Sequence, residues 1–171
     1  MNTKQLECAI MSDVNMKNTV IGVFSADRLP HLPPRRPIAF IANTDPATAP
    51  GRHWVAFFID QQNVVESFDS YGKQPRELSN EFQFFVSQFE KNVINQKRLQ
   101  SSLTTVCGQY CLFYLMCRCR GFSMEQIQQT FHRDLLSNDE FVYDFINDRF
   151  VCSVRDCSNI GQTCFSETHC K

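Results

Sequence analysis

His53-Trp54-Val55-Ala56-Phe57-Phe58-Ile59-Asp60-Gln61-Gln62-Asn63-Val64-Val65-Glu66-Ser67-Phe68-Asp69 decides the reading of this chain. Two apolar, β-branched and aromatic runs flank the polar stretch Asp60–Asn63, which is the pattern of a β-hairpin. A three-residue loop, Asp60-Gln61-Gln62, sets Ile59 opposite Asn63 and His53 opposite Asp69. Residues directly opposite on one face lie ~4.5–5.5 Å apart at Cβ, within reach of a carboxylate–imidazole contact. A two-residue loop would slip the pairing by one and turn Asp69 to the other face.

Outward from the hairpin, Ile38–Ala42 and Val20–Phe24 read as two further strands. Residues 29–37 carry four prolines and read as irregular. Residues 43–52, rich in Asn, Asp, Pro and Gly, form a loop. Residues 3–12 suggest an amphipathic helix with Leu6, Ile10 and Met11 on one side. Residues 76–95, carrying Phe82, Phe84, Phe85 and Phe89, read as one long helix. Residues 105–119 are apolar nearly all round, the mark of a buried helix, with Gly121 as its stop. Ser123 with Gln126, and Ser137 with Glu140, have capping-box spacing and predict helices near 124–132 and 138–149. Strands come first and helices later, which argues an α+β fold with a mixed sheet flanked by helices. Residues 1–151 are expected to form one domain, with residues 152–171 a Cys-rich tail.

Length and composition agree. The 171 residues suit one domain with a real hydrophobic core, with 43% hydrophobic and 20% charged residues, and sixteen Phe predict an aromatic-rich interior. The net charge of −1 offers no overall basic field for nucleic acid. Arg35-Arg36 and Arg118-Cys119-Arg120 are local patches that a solvated surface explains more simply. No apolar run is long enough to span a membrane, and Met1 to Asp13 lacks a signal-peptide core, so the protein is expected to be intracellular when made. Nine cysteines in a reducing compartment read as free thiols, catalytic groups or metal ligands. Cys152, Cys157, Cys164 and Cys170, with His169, lack the tight two-residue pairs of a zinc site, and no metal is expected.

A thiol attacks a carbonyl as thiolate, and a neighbouring imidazolium keeps it in that form. The imidazole needs a partner on its other nitrogen. Cys107 opens the buried helix in Thr105-Val106-Cys107-Gly108-Gln109-Tyr110-Cys111, where free N–H groups and the helix dipole favour an anion. Gly108 would let a substrate backbone approach closely, and Cys111, one turn on, should point into the core. Each residue alone has a plainer reading: His53 as packing beside Trp54, Cys107 as core, Asp69-Ser70-Tyr71-Gly72 as a turn. Their combination points to a Cys107–His53–Asp69 triad.

At these residues the chain resembles the adenovirus protease family and, more distantly, the SUMO-specific proteases. The shared elements are His53-Trp54 opening a strand, Phe68-Asp69-Ser70-Tyr71-Gly72 ending the next, and Gln100 seven residues before Cys107-Gly108. The resemblance covers roughly residues 3–120 and is similar to proteases of adenovirus-related DNA viruses and of Polinton or Maverick transposons. It implies a papain-like fold, His53 as base, Asp69 as its partner, Cys107 as nucleophile, Gln100 with the Cys107 N–H as oxyanion hole, and Trp54 packing beside the site. The adenovirus protease is assisted by a disulfide-linked viral peptide and by DNA. Here Cys8 is the only cysteine upstream of Cys107, and no cofactor is required on sequence grounds. The resemblance further implies a monomer that cleaves viral precursor polypeptides during particle maturation, in the host nucleus and the virion. The alternatives are a deconjugase of ubiquitin-like modifiers, or a catalytically silent binding module on the same fold.

Overall fold

A computed structural model describes residues 1–150. The tail from 152, with its cysteines and His169, lies outside the described residues. Helices α1 (Thr3–Ser12) and α2 (Met16–Thr19) precede strand β1 (Val20–Ser25) and a 3₁₀ turn at Ala26–Arg28. Then come β2 (Ile38–Asn43), β3 (Trp54–Ile59), β4 (Val65–Phe68), α3 (Pro75–Leu78), α4 (Asn80–Ser87) and β5 (Asn92–Ile94). Helices α5 (Cys107–Arg118), α6 (Met124–Gln129) and α7 (Leu135–Arg149) follow. The five strands form one sheet in the order β1-β2-β3-β4-β5. β2, β3 and β4 pair antiparallel, while β1 and β5 run parallel to their neighbours. This is the expected α+β architecture with a mixed sheet.

Both faces of the sheet are covered, which explains why β3 is apolar at every position. Ala56 and Phe58 join one core with Leu6 and Ile10 of α1, Tyr110 to Met116 of α5, and Val142 and Ile146 of α7. Val55, Phe57 and Ile59 join a second core with Phe40 and with Phe82, Phe85 and Val86 of α4. Phe40 and Phe57 stack with centroids 4.9 Å apart, and Phe85 meets both edge-on.

Four readings are corrected. The hairpin loop is longer than expected: Ile59 faces Val65, not Asn63. Asp60 Oδ1 accepts from the Gln62 and Val64 amides, and Asn63 takes φ 60°, so the side chain of Asp60 builds a wider turn. Residues 76–95 are not one helix. Ser79 is extended and caps α4 through Phe82 N, and Phe84 points outward, 70% exposed. Asp134, not Ser137, caps α7 by accepting from Leu136 N. In α1 the buried side is Leu6, Ala9 and Ile10, while Met11 is exposed. The basic patch at 118–120 is absorbed by the fold: Arg118 pairs with Glu66, and Arg120 with Asp13.

Candidate active site

The turn after β4 fixes the acid. Gly72 donates to Asp69 O at 3.0 Å and holds φ 74°, a conformation that favours glycine. A Cβ there would meet Gln96, Lys97 and Arg98 backbone at 2.8–2.9 Å. Asn95, fully buried, donates to the Asp69 carbonyl at 2.5 Å. The Asp69 carboxylate is buried too, and its Oδ2 accepts from Lys73 N at 2.8 Å.

Its Oδ1 hydrogen-bonds His53 Nε2. The observed register, continued past its last pair, sets these two residues on a diagonal rather than opposite. A two-residue shift preserves the face, and diagonal neighbours at ~7–8 Å remain within side-chain reach. The contact expected from the hairpin therefore forms despite the longer loop. With Nε2 held by Asp69, the other ring nitrogen is left for Cys107, which lines the same cleft and whose thiol interacts with the ring.

Cys107 is the first residue of α5. Val106 at the N-cap offers no side-chain acceptor, so the first-turn N–H groups stay available to an anion. Burial opposes a thiolate here. His53 outweighs it, and the Trp54 N–H adds a hydrogen bond, so the Cys107 pKa is lowered. Burial likewise opposes the imidazolium, but hydrogen bonds and charge from Asp69 and Cys107 push the His53 pKa up to about 9. Cys111 is driven the other way, well above a free thiol, by its complete burial. Of the two thiols on this helix face, Cys107 has the environment of a nucleophile.

Cys107 and His53 line a cleft of about 360 Å³ together with Thr44, Arg52, Tyr71 and Thr105. Tyr71 tilts over the imidazole at 5.1 Å between centroids. Trp54 lies beside the site, its indole N–H donating to Met1 O at 3.1 Å.

Two site residues stand differently from expectation. Gly108 does not face the cleft: a Cβ there would meet Met1, Leu6 and Trp54 at 3.1–3.4 Å. Its smallness lets the N-terminal segment and Trp54 close on α5. Gln100 is fully buried and does not itself line the cleft. Its Nε2 lies 3.1 Å from Thr104 O and 3.4 Å from Thr104 Oγ1, while its Oε1 accepts from Ser70 Oγ at 2.6 Å. It therefore bridges the residue after Asp69 to a residue of the cleft wall. The sequence showed Ser70 only as part of the Asp69–Gly72 turn, and it gave no sign of Thr104 or Asn95, which are common polar residues with no distinguishing spacing. Among the described residues no cluster of His, Cys, Asp or Glu could hold a metal ion.

No family model matches the sequence. A cysteine protease of African swine fever virus is 29% identical over 119 residues, covering 61% of this chain and 40% of its own length. A second isolate's protein, named a SUMO-1 cysteine protease, is 28% identical over the same coverage. The chain thus spans about 40% of the length of the curated relatives it matches. The chain is similar to cysteine proteases of the SUMO-specific kind. A solved African swine fever virus protease is 30% identical, with 67% of this chain and 45% of that one covered and a TM-score of 0.45. ChlaDub1 from Chlamydia trachomatis aligns over 89% of this chain and 81% of its own at 16% identity, with a TM-score of 0.50, and shares the fold. The relative named a SUMO-1 cysteine protease bears on the SUMO-protease half of the resemblance; the adenovirus half rests on the motif spacing. Among the described residues no helix is long and apolar enough to cross a membrane.

Proposed function

We propose that this chain is a cysteine protease that removes ubiquitin-like modifiers from proteins, with Cys107 as nucleophile, His53 as acid and base, and Asp69 orienting His53. The observation that carries it is the chain of contacts from Asp69 through His53 to Cys107, at the free N-terminus of a buried helix and on the wall of one cleft. The Cys107 thiolate attacks the carbonyl carbon of the scissile amide, forming an S–C bond and an oxyanion. The C–N bond breaks as His53 passes its proton to the leaving amine. Water, deprotonated by His53, then opens the thioester and returns the thiolate–imidazolium pair. The oxyanion is met by the Cys107 N–H and by the Gln100 amide, which would exchange its long contact to Thr104 Oγ1 for the substrate.

The modifier substrate is supported by the SUMO-1 protease name among the relatives. Precursor cleavage during particle maturation, in the nucleus or virion, is the second reading, supported by the viral source of those relatives. Wild type and Cys107→Ala, assayed on SUMO and ubiquitin bearing a C-terminal fluorogenic amide and on an unfolded protein, separate the two. Release from a modifier with little cleavage of the unfolded chain is expected. Efficient cleavage of the unfolded chain and none of the modifiers would move the assignment to precursor processing.

A further inference from the structure

Asp139 stands on the buried stripe of α7 with Asn138, Val142 and Ile146, and is 3% exposed. Among the described residues its carboxylate forms no ion pair. A buried carboxylate is costly unless hydrogen bonds hold it, and here all its partners come from the segment leading into Cys107 and from α5. Oδ2 accepts from Ser101 N at 3.1 Å and from Thr104 Oγ1 at 2.7 Å; Oδ1 accepts from the Tyr110 hydroxyl at 2.8 Å.

The Thr104 hydroxyl has one hydrogen, and the charge-assisted bond to Asp139 takes it. Toward Gln100, Thr104 therefore presents only acceptors, its carbonyl and its hydroxyl lone pairs. Facing them, the Gln100 amide must present Nε2, and its Oε1 must turn to the Ser70 hydroxyl. By holding Ser101 N and the Thr104 hydroxyl together, Asp139 pins Thr104 so that both its carbonyl and its hydroxyl oxygen face Gln100 Nε2. Resting on the protease reading above, we propose that Asp139 is a positioning residue that acts through Thr104 to hold the Gln100 amide with its N–H end against Thr104 on the cleft wall, from where it serves as the oxyanion donor.

Hydrogen-bond acceptance is what matters, not charge. An asparagine at 139 can keep its oxygen on Ser101 N and Thr104 Oγ1, and point its NH₂ at Tyr110, whose hydroxyl then donates to Leu99 O, 2.9 Å away. Asp139→Asn should keep kcat within about threefold of wild type, whereas Asp139→Ala and Thr104→Val should each lower kcat by ~10², the scale of one lost oxyanion donor. The double variant should be no worse than the poorer single one, because both cut the same row. Iodoacetamide alkylation of Cys107, followed on its peptide by mass spectrometry, supplies the discriminating readout. It displaces iodide at a CH₂ and builds no oxyanion, so its rate should hold in all variants. Alkylation falling in parallel with hydrolysis, or full hydrolysis by Thr104→Val, would overturn the proposal; Thr104→Val carries the test if Asp139→Ala does not fold. If wild type hydrolyses no substrate, the protease reading fails separately, and the Gln100 side-chain amide decides by NMR. Faster hydrogen exchange at its Nε2 in Thr104→Val but not in Asp139→Asn supports the row; unchanged exchange in Thr104→Val overturns it.

Discussion

Asp69→Asn is the most informative single change at the triad, because the structure leaves the new amide no good orientation. Asp69 accepts twice, from His53 Nε2 and from Lys73 N. An asparagine has one oxygen. If that oxygen stays on Lys73 N, the NH₂ faces His53 and forces Nε2 to be an acceptor, which forbids the imidazolium. If it turns to His53, the NH₂ opposes Lys73 N, and an unsatisfied buried donor costs ~1–3 kcal/mol. The charge that helps hold the His53 pKa at about 9 is lost in either case. If that pKa falls to ~7, the imidazolium fraction at pH 8 drops about tenfold, and the orientation cost adds at least another ~5-fold. The pH profile carries the sign. The thiolate appears as pH rises through the lowered Cys107 pKa, and the imidazolium disappears as pH rises through that of His53. Wild-type kcat/KM should therefore hold up to an alkaline limb near pH 9, which belongs to the coupled pair. Asp69→Asn should lose ~50-fold or more at pH 8 and move the alkaline limb down by a pH unit or more. An alkaline limb that stays near pH 9 in the variant, with activity within about threefold, would refute the role given to Asp69.

Gly72→Ala forces a left-handed φ and a Cβ 2.8–2.9 Å from the Gln96–Arg98 backbone, so it should cost well over ~1 kcal/mol. Because that turn holds Asp69, thermal melting and activity should fall together; a wild-type melting temperature would contradict this. Among the described residues, Arg118→Ala leaves buried Glu66 with only the Tyr114 hydroxyl as side-chain partner. Urea unfolding should show a loss of ~3–5 kcal/mol, and a loss under ~1 kcal/mol would mean that water already solvates Glu66.

The hairpin was legible because its chemistry depends on face, and face survives an even shift of register. The loop length was not, since it turned on Asp60 accepting two backbone hydrogen bonds. The place of Cys107 was legible as a Cys opening an apolar run that α5 buries along most of its length. The break at Ser79 was masked by the Phe-rich run on both sides, in which Phe84 stays outside and Phe82 and Phe85 go in. Gly108 was read toward substrate because a Cys-Gly pair says nothing of which element packs on the helix; α1 and Met1 do. Asp139 left a trace in the sequence: an acid on the same stripe as Val142 and Ile146, where an exposed residue would break the pattern. What it holds, thirty-odd residues upstream, depends on how α7 packs against the segment before α5.

The central claim is that Cys107 is the nucleophile of a modifier-directed protease. The direct test is covalent capture: wild type, Cys107→Ala and His53→Ala are mixed with SUMO and ubiquitin carrying a C-terminal propargylamide, and the adduct is mapped by mass spectrometry. The account predicts one adduct on wild type, attached at Cys107, absent in Cys107→Ala and strongly slowed in His53→Ala. An adduct at another cysteine, or capture by His53→Ala at the wild-type rate, would contradict it.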